Sequence, residues 1–365
     1  MGFISTARSR IYSRKGSNTL ASFFSILLVI AGLAACGSTP ASTSSNGQSS
    51  GTKPNVVIGY IDNGAEPEVI AVVQDLFSKR MHANVQVKYF DSGPASLAAL
   101  ASGSLQFMTG IGNPPTVSAI SHGVPLQVVW SQELYTKDEG LVVRKGSGIN
   151  SIKDLKGKSV ALVLGSTSQF AFNATLAKAG VDPSTVHLLN MAPPAMHSAW
   201  SNHSIDAVYV WDPVLDALSR DNGTILSTDD DVKQDAPVYS LSITNSTWAK
   251  SNPDLVKEFI LAQNDAVTFY NQHPDEAVQL IAKRESISVD LTKTELAGYK
   301  IYTLQDQLSA DCLGQGASIS SSLVTKSLSS AARYLHSSGA LVSVPTDFSQ
   351  NVDPSYAESA LKDSK

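Results

Sequence analysis

From Asn55 to about residue 213, short runs rich in β-branched residues alternate with segments of helical periodicity. A strand turns alternate side chains inward and a helix about one in 3.6, so this alternation predicts strands joined by crossover helices. The predicted strands are Val56–Tyr60, Val85–Phe90, Leu105–Thr109, Leu126–Trp130 and Leu141–Arg144. The predicted helices start at Glu66, with Pro67 suited to the first helical position, and span Pro94–Ala101 and Pro115–Ile120. Together they form one parallel-type α/β unit.

A second unit of the same kind follows the turn-rich segment Lys145–Gly148. Its predicted strands are Val160–Leu164, Val186–Leu189 and Ala207–Val210, and its helices start near Ser168, Pro193 and Pro213. The chain beyond residue 54 is longer than one compact domain usually is, so we expect two lobes.

Beyond Ser240 the periodicity becomes helical, with Asn252-Pro253 as a cap and first helical position and a restart at Pro274. Amphipathic stretches at Thr292–Gln307 and Ser318–Ser337 predict two long helices, which we expect to return to the first lobe. The predicted division is a first lobe at 55–143, a second lobe at 144–240, a return to the first lobe at 241–345 and a tail at 346–365.

The N-terminal segment has the pattern of a secretory signal sequence over residues 1–35. Its charged side chains are all cationic, and an apolar run from Leu20 to Ala35 follows them. The run is short for a bilayer-spanning helix and ends at Leu33-Ala34-Ala35-Cys36, which resembles the lipobox of bacterial lipoproteins. This pattern predicts lipidation of Cys36, and the alternative is an uncleaved anchor with a chance cysteine.

Residues 36–54 consist mostly of small and polar residues, a composition that predicts a flexible tether after the lipid anchor. Loss of the four cationic residues before Cys36 changes the formal net charge from −5 to −9, which argues against a nucleic-acid partner. With Cys36 assigned to lipid, only Cys312 remains, so no disulfide or cysteine-based metal site is expected.

Metal and cofactor chemistry find little support in the rest of the sequence. The seven histidines show no paired spacing suited to a metal, and we interpret them as surface or packing residues. The run Asp229–Asp231 is interpreted as a solvated loop, with a calcium site as the alternative. No Ser-His-Asp order, HExxH, Walker A loop or dinucleotide fingerprint is present, so no cofactor and no catalysis are expected.

Several segments along residues 55–345 occur in the order found in one known family. The segments are Ala65-Glu66-Pro67, Phe90–Gly93, Ala99–Gly103, Ile111–Pro115, Glu139–Val143, Asp154–Lys158, Ser166–Ser168, Pro193-Pro194 with Ala199-Trp200, and Asp206–Pro213. They resemble the taurine and aliphatic-sulfonate binding proteins of ABC importers. The resemblance implies a type II periplasmic-binding-protein fold, two α/β lobes joined by two strands near Val143 and Ser240, with the ligand in the cleft. It also implies a monomer without catalysis, outside the cytoplasmic membrane, partnered by ABC permease and ATPase subunits.

The segment Gly165–Gln169 follows a predicted strand and opens a helix, so free backbone N–H groups and hydroxyls would converge there with the helix dipole behind them. This arrangement predicts an anion site made by Ser166, Thr167, Ser168 and Gln169. The alternative is that Ser166 or Ser168 merely caps the helix, and the resemblance favours ligand binding.

The segment Asn113-Pro114-Pro115 occupies the corresponding position on the first lobe. The resembled family usually has a serine where Pro114 stands, and proline offers neither a hydroxyl nor an N–H. Asn113 or Thr116 would therefore supply the missing donor, and the alternative is that two prolines simply start a helix. The resemblance also places Ser92, from the Phe90–Gly93 segment, among the ligand-binding residues.

Three acids, Glu66, Glu139 and Asp212, fall at the carboxyl ends of predicted strands or just after them, where open α/β sheets bind ligands. A carboxylate there could pair with the ammonium of taurine, whereas the alternative for each is a solvated loop acid. Taurine-binding members carry an acid where this chain has Ser240, so the residues favour recognition of the sulfonate over recognition of the amine.

Trp211 precedes Asp212 at a strand-to-helix corner and is expected to wall the pocket, with a buried core tryptophan as the alternative. The ligand expected from the sequence is taurine or a related sulfonate. Alternatives are an alkanesulfonate, nitrate or a thiamine-precursor pyrimidine. An enzyme making that pyrimidine would depend on a cysteine-rich motif, and a sensor would need further segments that this sequence does not contain.

Overall fold

The computed structural model describes residues 52–363. Its strands are β1 (Asn55–Ile61), β2 (Asn84–Phe90), β3 (Phe107–Gly112), β4 (Leu126–Tyr135), β5 (Glu139–Arg144), β6 (Ser159–Leu162), β7 (His187–Asn190), β8 (Ala207–Trp211), β9 (Gly223–Thr228), β10 (Tyr239–Asn245) and β11 (Tyr299–Ile301). The predicted signal sequence 1–35, Cys36 and most of the predicted tether 36–54 lie outside the described residues.

The α-helices of this part are α1 (Glu68–Val73), α2 (Leu76–Met81), α3 (Gly93–Ala101), α4 (Asn113–Ser121), α5 (Thr167–Lys178), α6 (Pro193–Ser201), α7 (Val214–Arg220), α8 (Ser246–Ser251), α9 (Pro253–Gln272), α10 (Pro274–Glu285), α11 (Val289–Leu296), α12 (Leu323–Ser337) and α13 (Ser355–Asp363). Among residues 52–363, no helix combines the length and the apolar character that crossing a bilayer requires.

The first lobe is built on a six-stranded sheet in the order β11-β4-β10-β3-β1-β2. β1 pairs in parallel with β2 and β3, and β10 runs antiparallel between β3 and β4. Apolar side chains of α1, α2, α9, α10 and α13 cover one face of the sheet, and those of α3, α4 and α12 belong to a second core. Helices on both sides bury the sheet, as the alternating pattern predicted.

The second lobe is built on a five-stranded sheet in the order β7-β6-β8-β5-β9. β6 pairs in parallel with β7 and β8, whereas β5 is antiparallel to both β8 and β9. One continuous apolar core joins this sheet to α5, α6 and α7, with Phe172, Trp200 and Tyr209 fully buried.

The chain passes between the two sheets twice. The first crossing, residues 136–138, links β4 to β5, and the second, residues 229–238, links β9 to β10. The predicted boundary at residue 143 falls within β5, whose pairing with β8 and β9 places it in the second sheet. The first crossing therefore precedes the predicted position, and Ser240 lies just after the second crossing, in β10.

Two helix predictions differ from the structure because the backbone breaks where periodicity continues. The stretch after Glu66 divides into α1 and α2 at Asp75, which has a left-handed φ of 55°. The predicted helix Thr292–Gln307 ends at Leu296, and the chain then pairs with β4 through β11. Gly298 allows this turn, because a β-carbon there would lie 1.7 Å from Asp138 Oδ2.

The C-terminal part returns to the first lobe. The predicted helix Ser318–Ser337 is α12 preceded by a short 3₁₀ segment at Gly316–Ser321. The segment predicted only as a tail, 346–365, contains α13, which buries Ala357 and Ala360 in the core that includes α9. The C-terminal helix is therefore part of the first lobe.

Candidate functional site

A small, partly open cavity lies between the two lobes. Its walls come from both sheets, and about 20 Å³ is open to the centres of water-sized molecules, little more than one water requires. Three of the predicted ligand residues line it, Ser166, Thr167 and Trp211. The other lining residues are Ile61, Asn63, Gly93, Gly110, Gly112, Pro115, Tyr135, Tyr239 and Ser240.

The N-terminus of α5 forms the second-lobe side of the cavity. The backbone N–H groups of Thr167, Ser168 and Gln169 have no acceptor among the described residues, whereas Phe170 N–H already bonds to the Ser166 carbonyl at 3.3 Å. These free N–H groups, together with the helix dipole, make the start of α5 a place for an anion.

The hydroxyls of this segment do not serve the role that the sequence predicted for them. Ser166 Oγ donates to the Val163 carbonyl (2.7 Å), and Thr167 Oγ1 and Ser168 Oγ both donate to Glu139 Oε1 (2.9 and 2.5 Å). A hydroxyl has one hydrogen to donate, so the donors for a bound anion at this helix are backbone N–H groups. The side chain of Gln169 is also engaged, since its Oε1 accepts from Gly165 N–H at 2.8 Å.

Glu139 lies behind this helix and not in the cavity wall. It is fully buried, and burial raises its pKa to about 7, while hydrogen bonds from Ser168, Asp229 and Thr167 oppose the rise. Asp229 is also fully buried, its pKa is raised by desolvation and by the charge of Glu139, and Tyr209 donates to it at 2.9 Å. The interpretation of Asp229–Asp231 as a solvated loop is therefore wrong for Asp229.

On the first lobe, α4 starts directly opposite α5. Both donor hydrogens of the Asn113 side chain are used, by the carbonyls of Pro237 (3.1 Å) and Ser327 (3.3 Å). Thr116 Oγ1 donates to the Gly112 carbonyl at 2.8 Å. Neither side chain supplies the donor that the sequence expected in place of Pro114. Asn113 instead ties α4 to the second crossing and to α12.

At the cavity, Gly112 of the first lobe lies against Thr167 of the second lobe. A β-carbon at this position would lie 2.3 Å from Cγ2 of Thr167, which is closer than real β-carbon contacts allow. The backbone of Gly112 has φ −75° and ψ 166°, which any residue can adopt, so the requirement for glycine here is spatial. Ser92, the N-cap of α3, is buried but does not line the cavity.

Glu66 belongs to a buried cluster of carboxyls under the first-lobe side of the cavity. Tyr60 donates to Glu66 Oε1 at 3.1 Å, and burial followed by the charge of Glu133 raises the pKa of Glu66. Burial raises the pKa of Glu133 to about 7, and Ser240, which lies opposite Glu133 in the strand pairing, donates its hydroxyl to Gln132 Oε1 at 3.2 Å. Because Ser240 lines the cavity, Glu133 is one side chain away from it.

Asp212 takes part in a separate acidic cluster where the second lobe meets the first. Burial and the charge of Asp212 raise the pKa of Asp138 to about 10, so Asp138 keeps its proton and donates to Asp212. Burial raises the pKa of Glu295 to about 8, and its Oε2 accepts from Ala65 N–H at 2.8 Å. Asp212 therefore contacts the other lobe and not the cavity.

The structure adds aromatic residues that the sequence did not single out. Tyr135 ends β4 and Tyr239 begins β10, both in the first sheet, and both line the cavity with Trp211 of the second sheet. Tyr239 stands directly before the crossing predicted at Ser240, which was the available signal for it, whereas Tyr135 is not next to the crossing predicted at Val143. Within residues 52–363, no group of three or more His, Cys, Asp or Glu residues is arranged to hold a metal ion.

Solved structures of other proteins have a similar fold. The alkanesulfonate-binding protein SsuA from Xanthomonas axonopodis pv. citri bound to MOPS has a TM-score of 0.68 at 20% identity, covering 83% of this chain and 99% of that one. The periplasmic aliphatic sulphonate binding protein SsuA from Escherichia coli has a TM-score of 0.66 at 21% identity, covering 83% and 93%. The predicted two-lobed periplasmic-binding-protein fold is confirmed.

Sequence comparison then places the chain in a family. The family model NMT1/THI5 like matches residues 81–277. The taurine-binding periplasmic protein of Escherichia coli (strain K12) is 30% identical over 311 residues, which are 83% of this chain and 93% of that protein. The chain therefore belongs to the NMT1/THI5-like family, and the predicted resemblance to taurine and sulfonate binding proteins is confirmed.

Proposed function

We propose that this protein captures taurine or a related small sulfonate and delivers it to an ABC importer. Relatives named for taurine and for sulfonates, and a cavity between two lobes, support this function. The ligand would lie between the start of α5 and the aromatic residues Tyr135, Trp211 and Tyr239. Those rings would cover its short alkyl chain.

The unsatisfied N–H groups of Thr167, Ser168 and Gln169 carry the proposal. Lysine and arginine are absent from the cavity-lining residues in the described part of the chain, so any negative charge there is met by backbone dipoles. A sulfonate has a single charge spread over three oxygens, which matches several neutral donors better than one cation does. Such hydrogen bonds to a charged group contribute about 1.5–3 kcal/mol each.

The test removes one of these donors while the helix is kept. Thr167→Pro deletes the N–H at the first helical position, where proline is tolerated, and Ser166 has the extended conformation favoured before proline. Thr167→Ala is the matched control, because it also lacks the hydroxyl but keeps the N–H. We expect Thr167→Pro to bind taurine by calorimetry at least tenfold more weakly than Thr167→Ala. Equal affinities would remove the start of α5 from the ligand site.

A panel of ligands separates the sulfonate from the alternatives. The aromatic residues around the cavity would also suit a flat ring such as a thiamine-precursor pyrimidine, and a smaller anion such as nitrate would meet the same N–H groups. Thermal-shift measurements with taurine, ethanesulfonate, sulfate, nitrate and the pyrimidine should show the largest stabilisation for a sulfonate. A larger shift with nitrate or the pyrimidine would replace the proposed ligand class.

We infer that the role is binding without catalysis. The one cysteine beyond the predicted lipidation site, Cys312, is buried away from the cavity, and burial raises the pKa of its thiol to about 12. A thiol with such a pKa is a poor nucleophile at neutral pH. Taurine recovered from the protein after long incubation should be unchanged by NMR, and a new product would contradict this role.

The protein is further proposed to be a lipoprotein on the outer face of the cytoplasmic membrane, or in the periplasm, and a monomer. The apolar run and the small residues before Cys36 support lipidation, and the tether would let the lobes reach the permease and its ATPase subunits. Cys36→Ala should release the protein from washed membranes. A Cys36→Ala protein that still fractionates with membranes through a processed N-terminus would exclude lipid anchoring at this cysteine.

A further inference from the structure

A groove of about 550 Å³ lies outside the cleft, between the second crossing and α12. Its walls are formed by the end of β4, the second crossing, β11 and the exposed side of α12. The groove brings the connection between the lobes next to a helix of the first lobe. It shares only Tyr239 with the wall of the cavity.

Four cationic side chains line this groove, and only one acidic side chain, Asp235, does. The cations are Lys233, Lys300, Lys326 and Arg333, all on exposed residues. Such a balance contrasts with the whole chain, whose formal net charge is −5. A local excess of positive charge in an acidic protein creates a potential that attracts anions to this groove.

Two of these cations have no ionic partner. Lys326 and Arg333 form no ion pair with any described residue, whereas Lys233 pairs with Asp230 at 2.6 Å and Lys300 pairs with Asp311 at 3.1 Å. Both of those pairs are solvent-exposed, and exposed ion pairs contribute little free energy. All four cations are therefore available to an anion at small cost.

The spacing of the cations favours an anion with more than one charge. Lys326 and Arg333 are two helical turns apart on one face of α12, about 10 Å along the axis, and Lys233 faces them from the second crossing. The serine hydroxyls between them are already used, since Ser329 Oγ donates to the Thr325 backbone carbonyl and Ser330 Oγ donates to the Asp235 backbone carbonyl, both at 3.0 Å. The donors that remain in the groove are the cationic side chains and the neutral amide of Gln234, and Arg333 offers the planar fork that suits phosphate oxygens.

We propose that this groove binds a multivalent phosphate-type anion, which joins the second crossing to α12 through Lys233, Lys326 and Arg333. A singly charged sulfonate would satisfy one of these side chains and leave the others solvated. A diphosphate reaches two or more of them at once. The site is separate from the sulfonate site proposed in the cleft and does not depend on it.

The probe is inorganic pyrophosphate, titrated calorimetrically into the purified full chain without sulfonate. We expect one site that binds pyrophosphate at least tenfold more tightly than inorganic phosphate. The variant Lys326→Gln/Arg333→Gln should weaken pyrophosphate binding at least tenfold. The control Lys250→Gln/Lys283→Gln removes two exposed cations outside the groove and should bind as the unmodified chain does.

Three results would overturn the site. One is the absence of pyrophosphate binding at millimolar concentration, and another is an equal loss in the control variant, which would indicate a nonspecific charge effect. The third is a loss of pyrophosphate binding in Thr167→Pro with no loss in Lys326→Gln/Arg333→Gln, because the anion would then occupy the cleft. The melting temperatures of both double variants should match that of the unmodified chain, since all four substituted residues are exposed.

Discussion

Gly112 and Thr167 decide how closely the lobes can approach at the cavity. Gly112 has no side chain, and Thr167 places its Cγ2 methyl group next to the position that a β-carbon at Gly112 would occupy. Each residue lies at the start of a helix that faces the other lobe. Thr167 also fixes its own rotamer by donating to the buried Glu139. A contact of this kind depends on two residues far apart in sequence, so the local pattern around either one gives no sign of it.

Enlarging Gly112 should hold the cleft open. Gly112→Ala is expected to weaken taurine binding at least tenfold, because the new β-carbon would lie 2.3 Å from Thr167 Cγ2 when the lobes are closed. Thr167→Ser, which removes that methyl group and keeps the hydroxyl, should recover most of the affinity in the Gly112→Ala background. Calorimetry on the two single variants and the double variant measures this coupling. A Gly112→Ala protein with unchanged affinity would show that closure does not require this contact.

Glu133 is the carboxyl we expect to sense an amine in the ligand. The sequence pointed to Glu66, Glu139 or Asp212, and none of these lines the cavity, whereas Glu133 lies opposite the lining residue Ser240 in the pairing of β4 with β10. With its pKa raised to about 7, Glu133 ionises readily when an ammonium group comes near.

Comparing the binding of taurine and ethanesulfonate tests whether the protein prefers a ligand with an amine. Taurine should bind at least tenfold more tightly than ethanesulfonate, about 1.4 kcal/mol, and Glu133→Gln should abolish that preference with little change for ethanesulfonate. Asp212→Asn is the control, because Asp212 lies in the acidic cluster beside Glu295 and should leave the preference intact. Equal binding of both sulfonates by the unmodified protein would mean that the ligand needs no amine.

At the scale of elements, α9 holds the first lobe together. Phe259 stacks between Phe107 of β3, with ring centroids 4.1 Å apart, and Phe77 of α2, at 5.1 Å. The helix therefore fastens an N-terminal strand and helix to a segment that follows the second lobe in sequence. The sequence could indicate α9 through its cap and its apolar face, but the partners of that face depend on the sheet order.

Truncation of the central ring should destabilise the first lobe. Phe259→Ala is expected to lower the free energy of unfolding by about 3–5 kcal/mol, because it removes both stacking contacts and leaves a cavity that cannot fully collapse. Phe259→Leu should cost clearly less, since most of the volume is kept. Urea denaturation monitored by circular dichroism measures both losses. A loss below about 1 kcal/mol for the alanine variant would place the stabilising contacts of α9 elsewhere.

The elements that the sequence predicted well are those whose pattern is complete within one segment. Strands such as β2 and β8 and the helices α3 and α4 lie within a few residues of their predicted positions. The helix predictions were wrong at Asp75 and Gly298, where the backbone turns although the periodic pattern of apolar residues continues. The start of α5 was predicted as an anion site from its position, but the direction of its hydroxyls depends on the buried Glu139, which belongs to another strand.

At the scale of the whole molecule, buried carboxyls are an unusual feature. Burial raises the pKa of Glu68 and Glu295 to about 8 and that of Glu133 and Glu139 to about 7. The folded protein therefore retains protons that the unfolded chain releases above about pH 4.5. Their contribution to stability is complete below that pH and is lost as the pH rises through the folded-state values.

We expect the free energy of unfolding to fall by at least about 2 kcal/mol between pH 5 and pH 8. The sign follows because the folded state binds more protons than the unfolded state over this range. Glu133→Gln/Glu139→Gln should flatten the dependence, since neither amide titrates. Urea denaturation at several pH values measures the slope. A free energy that is constant or rises between pH 5 and pH 8 would show that these groups are ionised in the folded protein.

The position of β10 in the middle of the first sheet has a consequence for synthesis. This strand separates β3 from β4, yet it is made only after the whole second sheet has been made. A nascent chain could complete the second lobe while the first still lacks its central strand and the helices α9 to α13. The inserted lobe would then fold first, although residues of the other lobe emerge before it, and the N-terminal strands would wait for their partner.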